Sequence, residues 1–151
     1  MAATLIDTNV LVYAYDRSEP EKQRRALEVL DALARTGDGC LSAQVLSEFF
    51  VNVTRKIAAP LTDAQARERL QHYVSIWPVI PVTSQVVFEA IRGVRGYRFS
   101  FWDAQIWAAA RLNQVSTVLS EDFNPGAGIE GVRFVDPFAD EFRLPDLGVG
   151  A

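Results

Sequence analysis

Short apolar runs alternate with longer amphipathic segments along most of the chain. Five runs have the length and composition of strands, namely ATLI, GCLSA, PVIPVT, VSTVLS and GVRFVDPF. Between them, apolar residues mostly recur every three or four positions, which is the spacing of one helix face. This alternation predicts a three-layer α/β/α sandwich with a mainly parallel central sheet.

End signals place the first helices. TNVLVYAY predicts a short helix capped by Thr8 or Asn9, and EPEKQRRALEVLDALARTG predicts a long helix that stops at Gly37. Ser42 and Thr62 occupy cap positions before two further helical segments. The two prolines of PVIPVT place that strand at a sheet edge, because proline cannot complete a hydrogen-bonded ladder.

Two more helices follow the proline-flanked strand. SQVVFEAIRGVRGY is helical in pattern but is expected to weaken at Gly93 and Gly96. SFWDAQIWAAARLNQ is apolar nearly all round, so this helix should be largely buried. The remaining tail has a mixed composition, and we expect a domain over residues 1–138 followed by a C-terminal tail over 139–151.

Composition and charge narrow the function classes. The chain has 151 residues, of which 49% are hydrophobic, enough for one domain with a substantial core. The formal net charge of -4 argues against a broad basic face for duplex DNA. It does not exclude nucleic acid in a metal-lined groove, because bound cations change the local charge.

Single copies of cysteine and histidine remove several kinds of chemistry. Cys40 has no partner for a disulfide or a cysteine zinc site, and His72 lies in an amphipathic helix as a filler residue. Zincins and Cys–His pairs are therefore excluded. The N-terminus lacks the pattern of a signal peptide and no segment is long enough for a membrane span, so we expect a cytoplasmic protein.

In α/β folds, sites form at the carboxyl ends of parallel strands. Four carboxylates of this chain lie near such positions. Asp7 ends the first strand and Asp122 follows VSTVLS, so both belong to one rim of the sheet. Glu48 lies two turns into the helix after GCLSA, and Asp103 lies in the first turn of the last helix. We expect all four to converge on this rim.

Each acid also has an ordinary structural explanation. Asp7 could cap the next turn, Asp103 could form a capping box with Ser100, and Glu48 could lie on a solvated helix face. Asp122 has a neighbour, Glu121, that could take its place. As a set, however, clustered carboxylates are suited to a hard divalent cation such as Mg²⁺, which can activate water for attack on a phosphate.

Four segments carry a resemblance to a known family: LIDTNVLVYAYD, LSAQVLSEFF, FSFWDAQIWAAA and VLSEDFNPGAGIEGVRFVDPF. In order and spacing they resemble PIN-domain proteins, most of all the VapC-type toxins of bacterial toxin–antitoxin pairs, over about residues 3–138. The resemblance implies a PIN-like fold and an Mg²⁺- or Mn²⁺-dependent endoribonuclease. It implies a homodimer and a cognate antitoxin whose tail enters the active-site groove.

The resemblance also assigns roles to residues. The acids that would hold the metal and carry catalysis are Asp7, Glu48, Asp103 and Asp122. Thr8 and Asn9 match the polar pair that supports the first aspartate, and Ser120 matches a small hydroxyl residue before the last acid. Arg92, Arg95 and Arg98 are candidates for contact with RNA or a partner, with a solvated charged loop as the alternative.

Three other functions fit the acidic set to different degrees. An RNase H-like nuclease also uses four acids, but it needs an antiparallel meander where this chain has the helix EKQRRALEVLDALAR. A phosphotransferase of the haloacid dehalogenase type needs a second aspartate where Asn9 stands. A non-catalytic PIN-like module that binds RNA or protein is compatible with an intact acidic set.

Overall fold

The structure is a computed structural model that describes residues 3–123 and 128–147. Its strands are β1 (Thr4–Ile6), β2 (Gly39–Ser42), β3 (Val79–Ile80), β4 (Thr117–Leu119), β5 (Gly128–Ile129) and β6 (Val132–Val135). Its helices are α1 (Thr8–Tyr13), α2 (Pro20–Thr36), α3 (Ala43–Arg55), α4 (Asp63–Ile76), α5 (Ser84–Tyr97) and α6 (Phe101–Leu112). A 3-10 turn follows at Leu144–Leu147.

The strands form one sheet in the order β3-β2-β1-β4-β6-β5. All pairs are parallel except β5 with β6, which confirms the predicted fold class. β1 and β2 pair in parallel with α1 and α2 between them in the chain, so the meander of an RNase H-like fold is absent from this described region. The chain moves to opposite sides of β1 to form β2 and β4, which makes the β1–β4 boundary the topological switch point.

Most predicted elements are present, but some details differ. The cap of α1 is Asp7, whose Oδ1 accepts from the Thr8 backbone nitrogen, because the Thr8 and Asn9 side chains bind elsewhere. The short strand β5 was not predicted, since two residues carry no periodicity. The predicted caps Ser42 and Thr62 are confirmed.

α5 continues through both glycines, so the expected weakening at Gly93 and Gly96 is wrong. A Cβ atom at Gly93 would lie 2.9 Å from the Trp107 ring, so the glycine permits close packing of α5 on α6. From Ala104 to Ala110 every residue of α6 is buried, as predicted. No helix within the described ranges is both long and apolar enough to cross a bilayer.

The first part of the predicted tail packs on the domain. Phe142 and Leu147 are buried in the hydrophobic core, and the Arg133 guanidinium donates to the Asp146 carbonyl at 2.8 Å. Residues 148–151 of the predicted tail lie outside the described residues. The boundary at residue 138 stays a prediction.

Candidate active site

The switch point holds a buried carboxylate. Asp7 follows β1 directly and is 4% exposed, and its backbone nitrogen donates to the Leu119 carbonyl of β4. Its Oδ1 accepts from the Thr8 nitrogen at 2.8 Å, and its Oδ2 accepts from the Ser120 hydroxyl at 2.6 Å. The side chain is therefore fixed from the start of α1 and from the end of β4, and it lies at the carboxyl end of β1 as predicted from the sequence.

Asn9 joins the first and last acids. Its Nδ2 lies 3.4 Å from Asp7 Oδ2, 3.1 Å from Asp122 Oδ2 and 3.2 Å from Ser120 Oγ. Ser120 also accepts from the Asp122 backbone nitrogen at 3.0 Å. Asn9 and Ser120 thus hold two carboxylates side by side that would otherwise repel each other.

The other two acids reach the same place from two helices. Glu48 of α3 accepts a 2.7 Å hydrogen bond from the Thr8 hydroxyl. Asp103 of α6 has its backbone nitrogen capped by Ser100 Oγ at 3.2 Å, which is half of the capping box expected there. All four acids line one cleft of about 350 Å³.

The placement of the acids agrees with a shared rim but not with a closed ligand cage. Within residues 3–123 and 128–147, no three carboxylate, imidazole or thiol groups are close enough together to hold one ion as they stand. The four carboxylates still offer only oxygen donors, which suits Mg²⁺ or Mn²⁺ and not a soft metal. Coordination by three or more of them requires side-chain rotation in the cleft.

Burial and mutual repulsion perturb two of these acids. Burial raises the pKa of Asp7 to about 7. The hydrogen bonds from Ser120 and Thr8 oppose this increase, and the charges of Asp122 and Glu48 add smaller increases. Burial is also the main cause of a raised pKa at Asp103, followed by the charge of Asp122. A cation in the cleft would oppose both effects, because it favours the ionised carboxylates.

The neighbours Glu121 and Asp122 face different partners. Glu121 accepts from the Tyr13 hydroxyl at 2.6 Å and from Lys22 Nζ at 2.9 Å, and it is not among the residues that line the cleft. Asp122 lines the cleft and contacts Asn9. This geometry favours Asp122 as the fourth acid, as predicted.

One row of cleft residues was only partly recognised from sequence. Gln44, Glu48, Asn52 and Lys56 follow one another at intervals of four along α3, and all line the cleft. This i,i+4 series places them on one helix face. The sequence signal was therefore present, but Lys56 at its end was missed. Gln44 is buried, accepts from Gln105 Nε2 at 2.7 Å and donates to the Trp102 carbonyl at 3.0 Å.

The three candidate arginines lie in three different settings. Arg92 forms ion pairs with Glu89 and Glu130, at 2.7 and 2.8 Å. Arg95 lines a separate surface cavity with Phe88 and Ile91. Arg98 lines a cavity that also contains Asp103 and Asp122. A contact role for these arginines stays a prediction, and only Arg98 stands beside the acids.

The family follows from a comparison with known domains. The PIN domain matches residues 4–125, a region that contains all four acids. The chain belongs to the PIN domain family. A comparison with curated proteins gives no match.

Solved structures share this fold at low sequence identity. A toxin–antitoxin complex from Klebsiella pneumoniae contains a chain that is 21% identical, with a TM-score of 0.66 and coverage of 89% of this chain and 98% of that one. FitAB bound to a DNA fragment gives 22% identity, a TM-score of 0.66 and coverage of 92% and 98%. Mycobacterium tuberculosis VapC20, a toxin that cleaves the sarcin-ricin loop, is 16% identical, with a TM-score of 0.60 and coverage of 85% of this chain and 98% of that one.

Proposed function

We propose that this protein is a metal-dependent endoribonuclease, a hydrolase that acts as the toxin of a toxin–antitoxin pair. The observation that carries the proposal is the meeting of four acids from β1, α3, α6 and the end of β4 in one cleft. Membership of the PIN domain family and the likeness to toxin structures support it. A non-catalytic binding module would not need a buried carboxylate beside other acids, since burying charge is unfavourable without a partner.

Mg²⁺ or Mn²⁺ is the cofactor that the donor set fits. The residues that would hold it are Asp7, Glu48, Asp103 and Asp122. The ion would supply an activated water and stabilise negative charge on the phosphate. No histidine or cysteine lines the described cleft to replace this chemistry.

Several residues of the chain would orient these acids. Ser120 and the Thr8 backbone fix both oxygens of Asp7, and the Thr8 hydroxyl fixes Glu48. Asn9 donates between Asp7 and Asp122, so it holds the pair together and partly offsets their charge. Such partners of metal ligands commonly affect activity because they set the direction of the ligand oxygens.

The partners that we propose rest on the protein surface and on the proposed toxin function. A cognate antitoxin would bind over the cleft, and both proteins would act in the cytoplasm, where RNA substrates are available. A homodimer is supported by two exposed apolar side chains of α5 that line one surface cavity, Phe88 at 70% and Ile91 at 42% exposed.

The deciding experiment measures cleavage of a panel of single-stranded and structured RNAs with Mg²⁺, with Mn²⁺ and with EDTA. We expect cleavage with either ion and none with EDTA. Asp7→Asn and Asp103→Asn should each lower the rate by about 10²-fold or more. Undiminished cleavage in EDTA would overturn metal dependence, and RNA binding without any cleavage would identify a non-catalytic module.

A further inference from the structure

A second cavity of about 280 Å³ opens directly beside the cleft. Asp103 and Asp122 line both cavities, so the two adjoin at these acids. The other residues of the second cavity are mostly aromatic or apolar: Tyr97, Arg98, Phe99, Ser100, Phe123, Ile129 and Phe134. Its size lies near the lower end of the range for small-molecule sites, about 300–1,000 Å³, which suits one nucleobase better than a folded partner.

Four consecutive residues, Tyr97 to Ser100, line this cavity, and the first three do so because the backbone turns sharply at Arg98. Tyr97 ends α5, and Arg98 adopts a left-handed conformation with φ of 62° before Phe99. In a regular strand the middle side chain would point to the opposite face, and in a helix it would be rotated by 100°. The left-handed turn therefore brings two aromatic rings and a guanidinium to one cavity.

Both rings are held in place from behind. The Tyr97 ring packs edge-on against Trp107 at 5.7 Å, and its hydroxyl donates to Glu130. Tyr97 is nevertheless 40% exposed, so part of its ring remains accessible to a ligand. The Phe99 ring packs edge-on against Phe123 at 5.6 Å and is half-buried. A ring fixed in this way loses little conformational entropy when a base stacks on it.

Arg98 carries a positive charge that no described carboxylate pairs. Among residues 3–123 and 128–147, no ion pair within 4.0 Å includes Arg98, whereas Arg92 of the same helix has two acidic partners. A left-handed conformation costs a non-glycine residue roughly 1–2 kcal/mol. The helix cap alone would be better served by glycine, so folding does not account for the choice of arginine at this position.

We propose that this cavity binds the base of one unpaired ribonucleotide next to the phosphodiester bond at the acids. Tyr97 provides the stacking surface, and Arg98 contacts the adjoining phosphate. Stacking on fixed aromatic rings is the usual way in which proteins hold unpaired bases, and the arginine fork suits a phosphate. This subsite rests on the proposed function, because it assumes that RNA lies across the acids.

The first test separates the role of Arg98 in binding from its role in folding. Affinity is measured by fluorescence anisotropy with a labelled single-stranded oligoribonucleotide, in EDTA and in Ca²⁺, with a gel to show that the RNA stays intact. Arg98→Gly should weaken binding and reduce the slope of log affinity against log salt by roughly 0.7, the value for one lost phosphate contact on a single strand. Its Tm should be equal to or above that of the unchanged protein, because glycine relieves the left-handed strain.

Arg67→Ala is the matched control, since it removes the same charge from an exposed position of α4 that lines neither the cleft nor the second cavity. It should leave the salt slope nearly unchanged. An equal effect of the two substitutions would overturn a specific role for Arg98 and indicate a general charge effect instead.

The second test concerns the base. A set of oligoribonucleotides carries one abasic residue at successive positions, and one position should bind the unchanged protein about 5-fold to 100-fold more weakly than intact RNA. In Tyr97→Ala this difference should disappear, whereas Tyr97→Phe keeps the ring and should retain it. Such a cycle isolates the contact between ring and base from any general loss of folding.

Three outcomes would overturn the subsite. The first is an abasic penalty in Tyr97→Ala equal to that of the unchanged protein. The second is that the unchanged protein binds no RNA in EDTA or in Ca²⁺. The third is that substitutions of Tyr97 and Arg98 leave RNA binding unchanged but weaken antitoxin binding. Metal-dependent cleavage in the presence of any of these results would leave the proposed function intact. Absence of both cleavage and RNA binding would overturn the proposed function itself.

Discussion

Thr8 and Glu48 are joined by a 2.7 Å hydrogen bond between the first residue of α1 and the second turn of α3. Thr8 is buried, and its hydroxyl is the donor that fixes one oxygen of Glu48. The backbone nitrogen of the same residue donates to Asp7 Oδ1. One residue therefore orients two of the four acids, one through its main chain and one through its side chain.

Removal of the Thr8 hydroxyl should impair activity more than folding. We expect Thr8→Val to lower the rate of RNA cleavage by about 10- to 100-fold, the usual effect of losing a partner of a metal ligand. The free energy of unfolding should fall by about 1 kcal/mol, because Glu48 remains partly solvated. Cleavage assays and chemical denaturation measure the two effects.

Thr8→Ser provides the control, since it retains the hydroxyl and the backbone contact with Asp7. Its activity should stay within a few-fold of that of the unchanged protein. Full activity of Thr8→Val would show that the orientation of Glu48 by Thr8 does not matter for catalysis.

The neighbours Glu121 and Asp122 should differ in their effect on activity. Glu121→Gln can still accept from Tyr13 and loses only its charge pairing with Lys22, so activity should remain substantial. Asp122→Asn removes a carboxylate from the cleft and should lower activity by about 10²-fold or more. Steady-state cleavage rates with Mg²⁺ test this, and the reverse order of effects would move the site by one residue.

The fold was largely predictable because α/β alternation leaves strong local signals. Buried runs and caps such as Ser42 and Thr62 predicted the elements that the structure contains. The prediction at Gly93 was wrong because it rested on the low helix propensity of glycine, whereas Gly93 allows the Trp107 ring to pack closely against α5. That contact joins α5 and α6 and has no trace in a local window of sequence.

The acidic site was predictable in position but not in its hydrogen bonds. The rule for parallel strands places Asp7 and Asp122 on one rim. Glu48 and Asp103 could be placed near it from their helices, and the family resemblance supported their role over the ordinary structural explanations. The pairing of Glu121 with Tyr13 and Lys22 depends on distances between α1, α2 and the β4 loop, so the sequence left two adjacent acids as alternatives. Tertiary contacts between remote segments favour Asp122, and the choice stays a prediction.

If the protein forms a homodimer through α5, the exposed aromatic residue Phe88 should control its assembly. Phe88 lies on the outer face of α5 at 70% exposed, so burial in an interface would remove a large apolar area from water. We expect Phe88→Glu to be monomeric and folded, with unchanged circular dichroism, while the unchanged protein sediments as a dimer. Leu27→Glu, at 52% exposed on α2, is the matched control and should remain dimeric. If the unchanged protein and Phe88→Glu are both monomers, or both dimers, α5 does not form the interface as proposed.

The last prediction follows from the energy of the clustered acids without metal. Two unit charges ~5 Å apart repel by roughly 3 kcal/mol at an effective dielectric of ~20. The pKa of Asp7 rises from 3.8 to about 7 on folding, chiefly through burial. Between these two values the folded state holds a proton that the unfolded state has lost. In EDTA, therefore, this group's contribution to stability is fully present below about pH 4 and is lost as the pH rises toward 7.

Asp7→Asn should remove that pH dependence and melt above the unchanged protein in EDTA at neutral pH, by about 1 kcal/mol of stability. The gain is smaller than the repulsion because an asparagine amide at this position no longer accepts from Asn9 and Ser120 as the carboxylate does. Mg²⁺ should raise the Tm of the unchanged protein, since an ion that binds only the folded state stabilises it, and should raise that of Asp7→Asn much less. Thermal melts between pH 4 and 8, with EDTA or Mg²⁺, measure all of this.

Asp31→Asn removes a charge from the exposed face of α2 and should not raise the Tm in EDTA. If Asp7→Asn is instead less stable in EDTA and both proteins ignore Mg²⁺, Asp7 is only the cap of α1 and the metal site drawn around it is wrong.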